Sequence, residues 1–199
     1  MSITRNRSAT YADLQAVPPH RVAEIIDGVL VTHPRPAPKH GVAAAALGAD
    51  LMAPFQWGRS GGPGGWIFVV EPELHIGNQV VVPDLAGWRR ERLPRLPDEA
   101  YFDLPPDWVC EVASPSTEAY DRGPKRRIYA EAGVAFLWLL DPRSEVLETF
   151  SLAGERWLLT GTFAGREDVA APPFDAITFS LGDLWPFDDA EPAAPSDAP

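Results

Sequence analysis

A single cysteine, Cys110, stands among 199 residues, so no disulfide can form within the chain. It lies in the apolar run WVCEV beside Glu111, where a free thiol reads as a small buried hydrophobe. Its isolation fits a reducing compartment. Long hydrophobic runs are also missing. The longest, Val134 to Leu140, falls far short of the roughly 20 apolar residues that a membrane-spanning helix needs. The opening, MSITRNRSATYADLQ, holds no apolar signal core. Together these absences give the expectation of a soluble, cytoplasmic protein without membrane contact. Positive charge is scarce as well: 17 Lys and Arg face 28 Asp and Glu, a formal net charge of -11. That balance excludes non-specific adhesion of nucleic acid over the whole surface, and it leaves room for a local basic groove.

What is present suffices for one sizeable core. Hydrophobic residues make up 45% of the chain, and the length fits one domain, expected over residues 1–187. The acidic Pro/Ala tail 188–199 lacks large apolar residues and is expected to be disordered. A poorly ordered start over residues 1–10 leads into a short helix, TYADLQAV, which Thr10 can cap. VAEIIDGVLV then reads as a tight β-hairpin turning at Asp27-Gly28. After a proline-rich connector, residues 41–53 form an alanine-rich helix that Pro54 should end. The glycine-rich loop GRSGGPGG lacks the Gly-Lys-Ser/Thr ending of a phosphate-binding loop and leads into no helix. WIFVVEPELHI and QVVVPDLAGW read as two strands joined at Gly77-Asn78, and WVCEVASPS as a third. A helix over about Pro124 to Ala132 precedes the apolar strand AFLWLLDP, and two more alternating strands follow. This order predicts an α/β (α+β) fold: a mixed central β-sheet flanked by helices, with an N-terminal β-hairpin.

The chemistry concentrates between Val80 and Lys125. Strand alternation puts Val109, Glu111 and Ala113 on one face. Asp84 shares a face with Val80, Val82, Ala86 and Trp88. A lone carboxylate in so apolar a strand costs several kcal/mol to bury unless something compensates it. On its helix Lys125 lies on the stripe of Ile128, Tyr129 and Ala132, which should face the sheet. An inward lysine needs an anion, and Glu111 and Asp84 are the natural partners. The residues themselves leave two meanings open: a structural ion pair, or a metal site with oxygen ligands, which suits Mg²⁺ or Mn²⁺. Asp121 reads as a helix start.

The ordered motifs EIIDGVLV, PAPKHG, VVVPDLAGW, WVCEVASPST, D-x-x-x-K-x-x-x-Y and GV-x-x-x-W-x-x-DP, spread over roughly residues 10–187, resemble the Uma-two family of the PD-(D/E)XK nuclease superfamily. The resemblance implies a restriction-endonuclease-like core of helix, three-stranded antiparallel meander, helix and strand. It implies a Mg²⁺- or Mn²⁺-dependent endonuclease acting on nucleic acid, with DNA the expected form, and it is compatible with a homodimer. Pro83-Asp84 then supplies the first metal carboxylate, Glu111 the second, and the Val112 backbone carbonyl completes the shell. The superfamily's lysine two residues after that glutamate is absent, because Ala113 stands there, so the role passes to Lys125. Glu73, Glu24 and His40 are the accessory candidates. A catalytically degenerate binding or regulatory module, holding nucleic acid or a partner through Arg89, Arg90, Arg92 and Arg95, is the alternative reading. A serine hydrolase built on Ser114 or Ser116 with His40 lacks a nucleophile-elbow pattern.

Overall fold

The computed structural model describes residues 8–186; the expected tail and the first residues of the expected loose start lie outside that range. Helix α1 (Tyr11–Gln15) opens on a reciprocal cap between Thr10 and Asp13. Strands β1 (Arg21–Ile26) and β2 (Val29–Pro34) then form the hairpin. Its turn residues Asp27 and Gly28 both take positive φ, as a tight primed turn requires. Helix α2 (Pro38–Leu51) follows, starting on a proline near its first turn. Pro54 does not end it. The helix widens into a π turn over Met52–Gln56, which accommodates a residue without an N–H.

Beyond the glycine-rich loop, each of the two expected strands is split. β3 (Trp66–Val70) and β6 (Leu85–Arg89) pair with each other, while β4 (Leu74–Ile76) and β5 (Gln79–Val81) form a separate hairpin between them. The break falls at Glu71, a non-glycine residue at φ 46°. The chain there leaves one sheet for another, because β5 pairs with β1 in a four-stranded sheet of order β2-β1-β5-β4.

The main sheet has six strands. β7 (Trp108–Val112) lies antiparallel to β6 and parallel to β8 (Phe136–Asp141). β9 (Val146–Ala153) and β10 (Arg156–Ala164) complete the order β10-β9-β8-β7-β6-β3. β7 and β8 are buried on both faces, which explains their near-continuous apolar sequences. Between them run α3 (Glu118–Tyr120), a π turn over Asp121–Lys125 and α4 (Arg126–Glu131). The helix therefore begins earlier than expected, with Pro124 inside the π turn. A small pair, β11 (Asp168–Val169) and β12 (Phe179–Ser180), precedes the final 3₁₀ turn Leu181–Leu184.

Each face of the main sheet carries its own core. Trp108, Cys110 and Val112 pack under α2 with Leu47, Phe55, Phe174 and Leu184. Val109 packs on the opposite face with Ala86, Trp88, Ile128 and Tyr129. Alternation along β7 thus points Glu111 toward α4, as the sequence predicts.

Candidate active site

Asp84 and Glu111 meet through strand register. Leu85 pairs with Cys110 and Ala86 with Val109, so continuing the antiparallel register sets Asp84 across from Glu111. The ladder stops there because the side chain takes over: Asp84 Oδ2 accepts the Val112 N–H at 2.7 Å. Its Oδ1 lies 3.2 Å from His40 Nε2. His40 comes from the first turns of α2 and also lies against the Val112 backbone.

Lys125 arrives from the other side. It is 3% exposed. Nζ sits 2.8 Å from Glu111 Oε1, 3.2 Å from Glu24 Oε1 and 3.3 Å from Asp121 Oδ1, and it donates to the Val82 carbonyl at 3.4 Å. Glu24 also accepts the Val82 N–H at 2.8 Å and meets His33 Nε2 at 2.8 Å. Tyr129, on the stripe that faces the sheet, donates its hydroxyl to Glu111 Oε1. All of these side chains but Tyr129 line one cavity of about 50 Å³, together with Glu71, Ser114 and Thr117.

The expected residues are thus brought together with changes of partner. Lys125 pairs with Glu111 as expected, but its other carboxylates are Glu24 and Asp121 rather than Asp84. Asp121, read as a helix start, is 3% exposed and faces the lysine one π turn away. His33 was not singled out by sequence, although strand alternation puts it on the face of Val31, opposite Glu24. Glu73 does not reach the pocket: its carboxylate holds His75 at 2.8 Å, because the chain has turned away at Glu71. Ala113 is buried, its N–H donated to the Leu140 carbonyl, so the strand provides no lysine there. No serine–histidine pair forms either, since Ser114 Oγ is bonded to Ser116 and Thr117. The arginine cluster is exposed, with Arg92 paired to Asp107 and Arg89 lying over the Trp66 ring.

Electrostatically the pocket holds five carboxylates, Glu24, Glu71, Asp84, Glu111 and Asp121, against one ammonium. Burial would raise Glu24, but Lys125, His33 and the Val82 N–H outweigh it and hold the carboxyl at about 2. Burial would lower Lys125, yet Glu111 and Glu24 raise it well above the usual lysine range. Glu111 is pushed up by its own burial and by the carboxylates of Asp121, Asp84 and Glu24, against the pull of Lys125. Asp121 is raised mainly by burial. His40 is held above its ordinary value by Asp84 despite burial. Carboxylates thus outnumber cations in the site, and the groups that could hold a cation are oxygens: Asp84, Glu111 and the Val112 carbonyl. That set fits a hard divalent cation such as Mg²⁺ or Mn²⁺. Among the described residues, no three His, Cys, Asp or Glu side chains form a ready metal cage, so any such ion would lean on backbone and water ligands as well.

No match was found among curated proteins. Among solved structures, the chain is similar to a protein described as "a putative nuclease belonging to DUF820" from Anabaena variabilis ATCC 29413, with a TM-score of 0.70 at 20% identity, over 89% of this chain and 98% of that one. This likeness shows a shared fold. A family model described as "Putative restriction endonuclease" matches residues 9–182, a span that includes every pocket residue named above, and the chain belongs to the Uma2 family.

Proposed function

We propose that the protein is a metal-dependent endonuclease that hydrolyses phosphodiester bonds in DNA. The family supports a nuclease acting on nucleic acid. The observation that carries the finer reading is the meeting of Asp84 and Glu111 across the β6–β7 register beside the buried Lys125. In this reading Asp84, Glu111 and the Val112 carbonyl hold the cation, Mg²⁺ or Mn²⁺. When bound, it polarises the phosphate and lowers the pKa of a coordinated water. Lys125, fixed by three carboxylates, orients the attacking water and offsets charge as the phosphorane develops. Glu24 and Asp121 keep that ammonium charged and in place. His33 aligns Glu24, and Tyr129 aligns Glu111. His40 holds Asp84 against the Val112 N–H.

The test is cleavage of plasmid and oligonucleotide DNA with and without Mg²⁺. Asp84→Ala and Lys125→Ala should each lower the rate at least about 10²-fold while thermal melts stay cooperative. Cleavage surviving both substitutions in clean protein would end the proposal. Calorimetric Mg²⁺ titration separates the degenerate-module reading, which expects no heat and no change in Asp84→Asn. The exposed Leu158 and Leu159 on the edge strand β10 support a homodimer joined along that edge. A monomer in sedimentation velocity at micromolar concentration would exclude it.

A further inference from the structure

A groove leaves the candidate site along α2. It has a volume of about 620 Å³ and shares His40, Glu71 and Asp84 with the catalytic pocket at one end. Along α2 its floor is mostly glycine and alanine, Gly41, Ala44, Ala45, Gly48 and Ala49, with Met52 beyond them. At the far end stands Trp57, 53% exposed, while Val70, 56% exposed, borders the groove next to Glu71 at its head. Among this chain's seven tryptophans, Trp57 is the one left so open.

The exposure of Trp57 is built in. The loop after it folds back onto the π turn: Arg59 N–H bonds the Ala53 carbonyl, and Gly64 N–H bonds the Pro54 carbonyl. Gly62 lies so close to Pro54 that a Cβ there would sit 2.2 Å from the proline ring. The ring is thus held at the groove's end, with the Arg59 guanidinium 5.2 Å from its centroid. At the groove's head, His40 is 8% exposed and its Nδ1 has no hydrogen-bond partner.

We infer that this groove holds the single-stranded flank of a nucleic-acid substrate, with one base stacked on Trp57. The inference rests on the phosphodiesterase reading of the adjoining site and adds to it the strand state of the substrate. At ~1.5 Å per residue, the helical stretch from His40 to Trp57 spans roughly 25 Å. Stacked nucleotides advance by ~3.4 Å, so several fit between a phosphate at Asp84 and a base at Trp57. Between the acidic head and Trp57 the wall along α2 is mostly glycine and alanine, which suits bare base faces. A duplex would present phosphates there to a strongly acidic protein. Aromatic stacking is the recurrent way to hold a strand without sequence preference, and Arg59 adds a cationic partner for the same base.

The experiment is fluorescence anisotropy in EDTA, where no cleavage occurs. The probes are a labelled oligothymidylate of about 12 nucleotides and a duplex of equal length. The single strand should bind more tightly. Trp57→Ala should weaken that binding about tenfold, Trp57→Phe should leave it near wild type, and Ala49→Phe, which fills the floor, should weaken it too. Equal binding by wild type and Trp57→Ala, or a duplex preference unmoved by both substitutions, would overturn the inference. If Asp84→Ala abolishes cleavage while binding ignores Trp57, the groove fails and the nuclease reading stands. Trp57-dependent binding by a protein that cleaves nothing gives the reverse.

Discussion

Glu24 and Glu111 touch the same ammonium, yet their protons behave in opposite ways. Glu24 is held at about 2 against an ordinary 4.5, a difference that corresponds to about 3 kcal/mol for so buried a group. A depressed carboxyl stabilises the fold above its unfolded pKa and loses that contribution as pH falls through its folded value. Urea midpoints should therefore drop between about pH 4.5 and 2, and Glu24→Gln should flatten that acid limb while lowering stability at neutral pH. An unchanged acid limb would remove Glu24 from the account. Glu111 and Asp121 are raised instead. Their contribution is full at low pH, in the protonated form, and is lost as pH rises through their folded values. On the proposed metal-dependent reading, a cation entering beside them competes with protons for the same oxygens. Mg²⁺ titrated in two buffers of different ionisation heat should give different apparent enthalpies, with affinity rising as pH rises. Identical heats in both buffers would show that no proton leaves.

At the scale of elements, two π turns shape the site and its approach. The second, over Asp121–Lys125, puts an aspartate and a lysine four residues apart onto one buried contact, with Pro124 between them. The first ends in Trp57, and the loop after it is packed on Pro54. Gly62→Ala forces a Cβ into Pro54 and should cost about 1–3 kcal/mol in a urea melt. It should also shift the Trp57 emission. A melt identical to wild type would show that the loop does not bear on the turn. Much of this was legible in sequence. Strand alternation pointed Glu111 to the α4 side, and the helical stripe turned Lys125 inward. Asp84 was legible as the carboxylate that shares a site with Glu111. Asp121 was not, because a helix expected to begin at about Pro124 leaves it before the first turn, whereas the helical run begins at Glu118 and carries it onto the stripe of Lys125 and Ile128. Glu73 was misplaced because nothing local marks Glu71 as the residue that takes positive φ and leads the chain out of the main sheet. His33 was within reach: it lies two residues beyond Val31 on the inward face of β2, and that alternation alone could have found it.

Across the whole molecule, cations are few, and several of those among the described residues are engaged in ion pairs. One of the two lysines is buried in the site. Arg122 pairs with Glu118 and Glu148, Arg127 with Asp27 and Glu131, Arg143 with Asp141 and Glu118, and Arg92 with Asp107. These pairs are surface contacts of small energetic weight, but each removes a charge from nucleic-acid binding. With a net charge of -11, the protein has little with which to neutralise phosphates. Proteins that release six to ten counterions lose about 10³–10⁵ in affinity between 50 and 200 mM salt. A binder that relies on stacking and neutralises about two phosphates of a single strand should lose less than about tenfold over the same range. Anisotropy with the labelled single strand across that salt range measures the slope directly. A shallow slope that steepens no further in Trp57→Ala would place the affinity in base contacts. A steep slope would mean that an extended basic surface, built by assembly of several copies, does the holding instead.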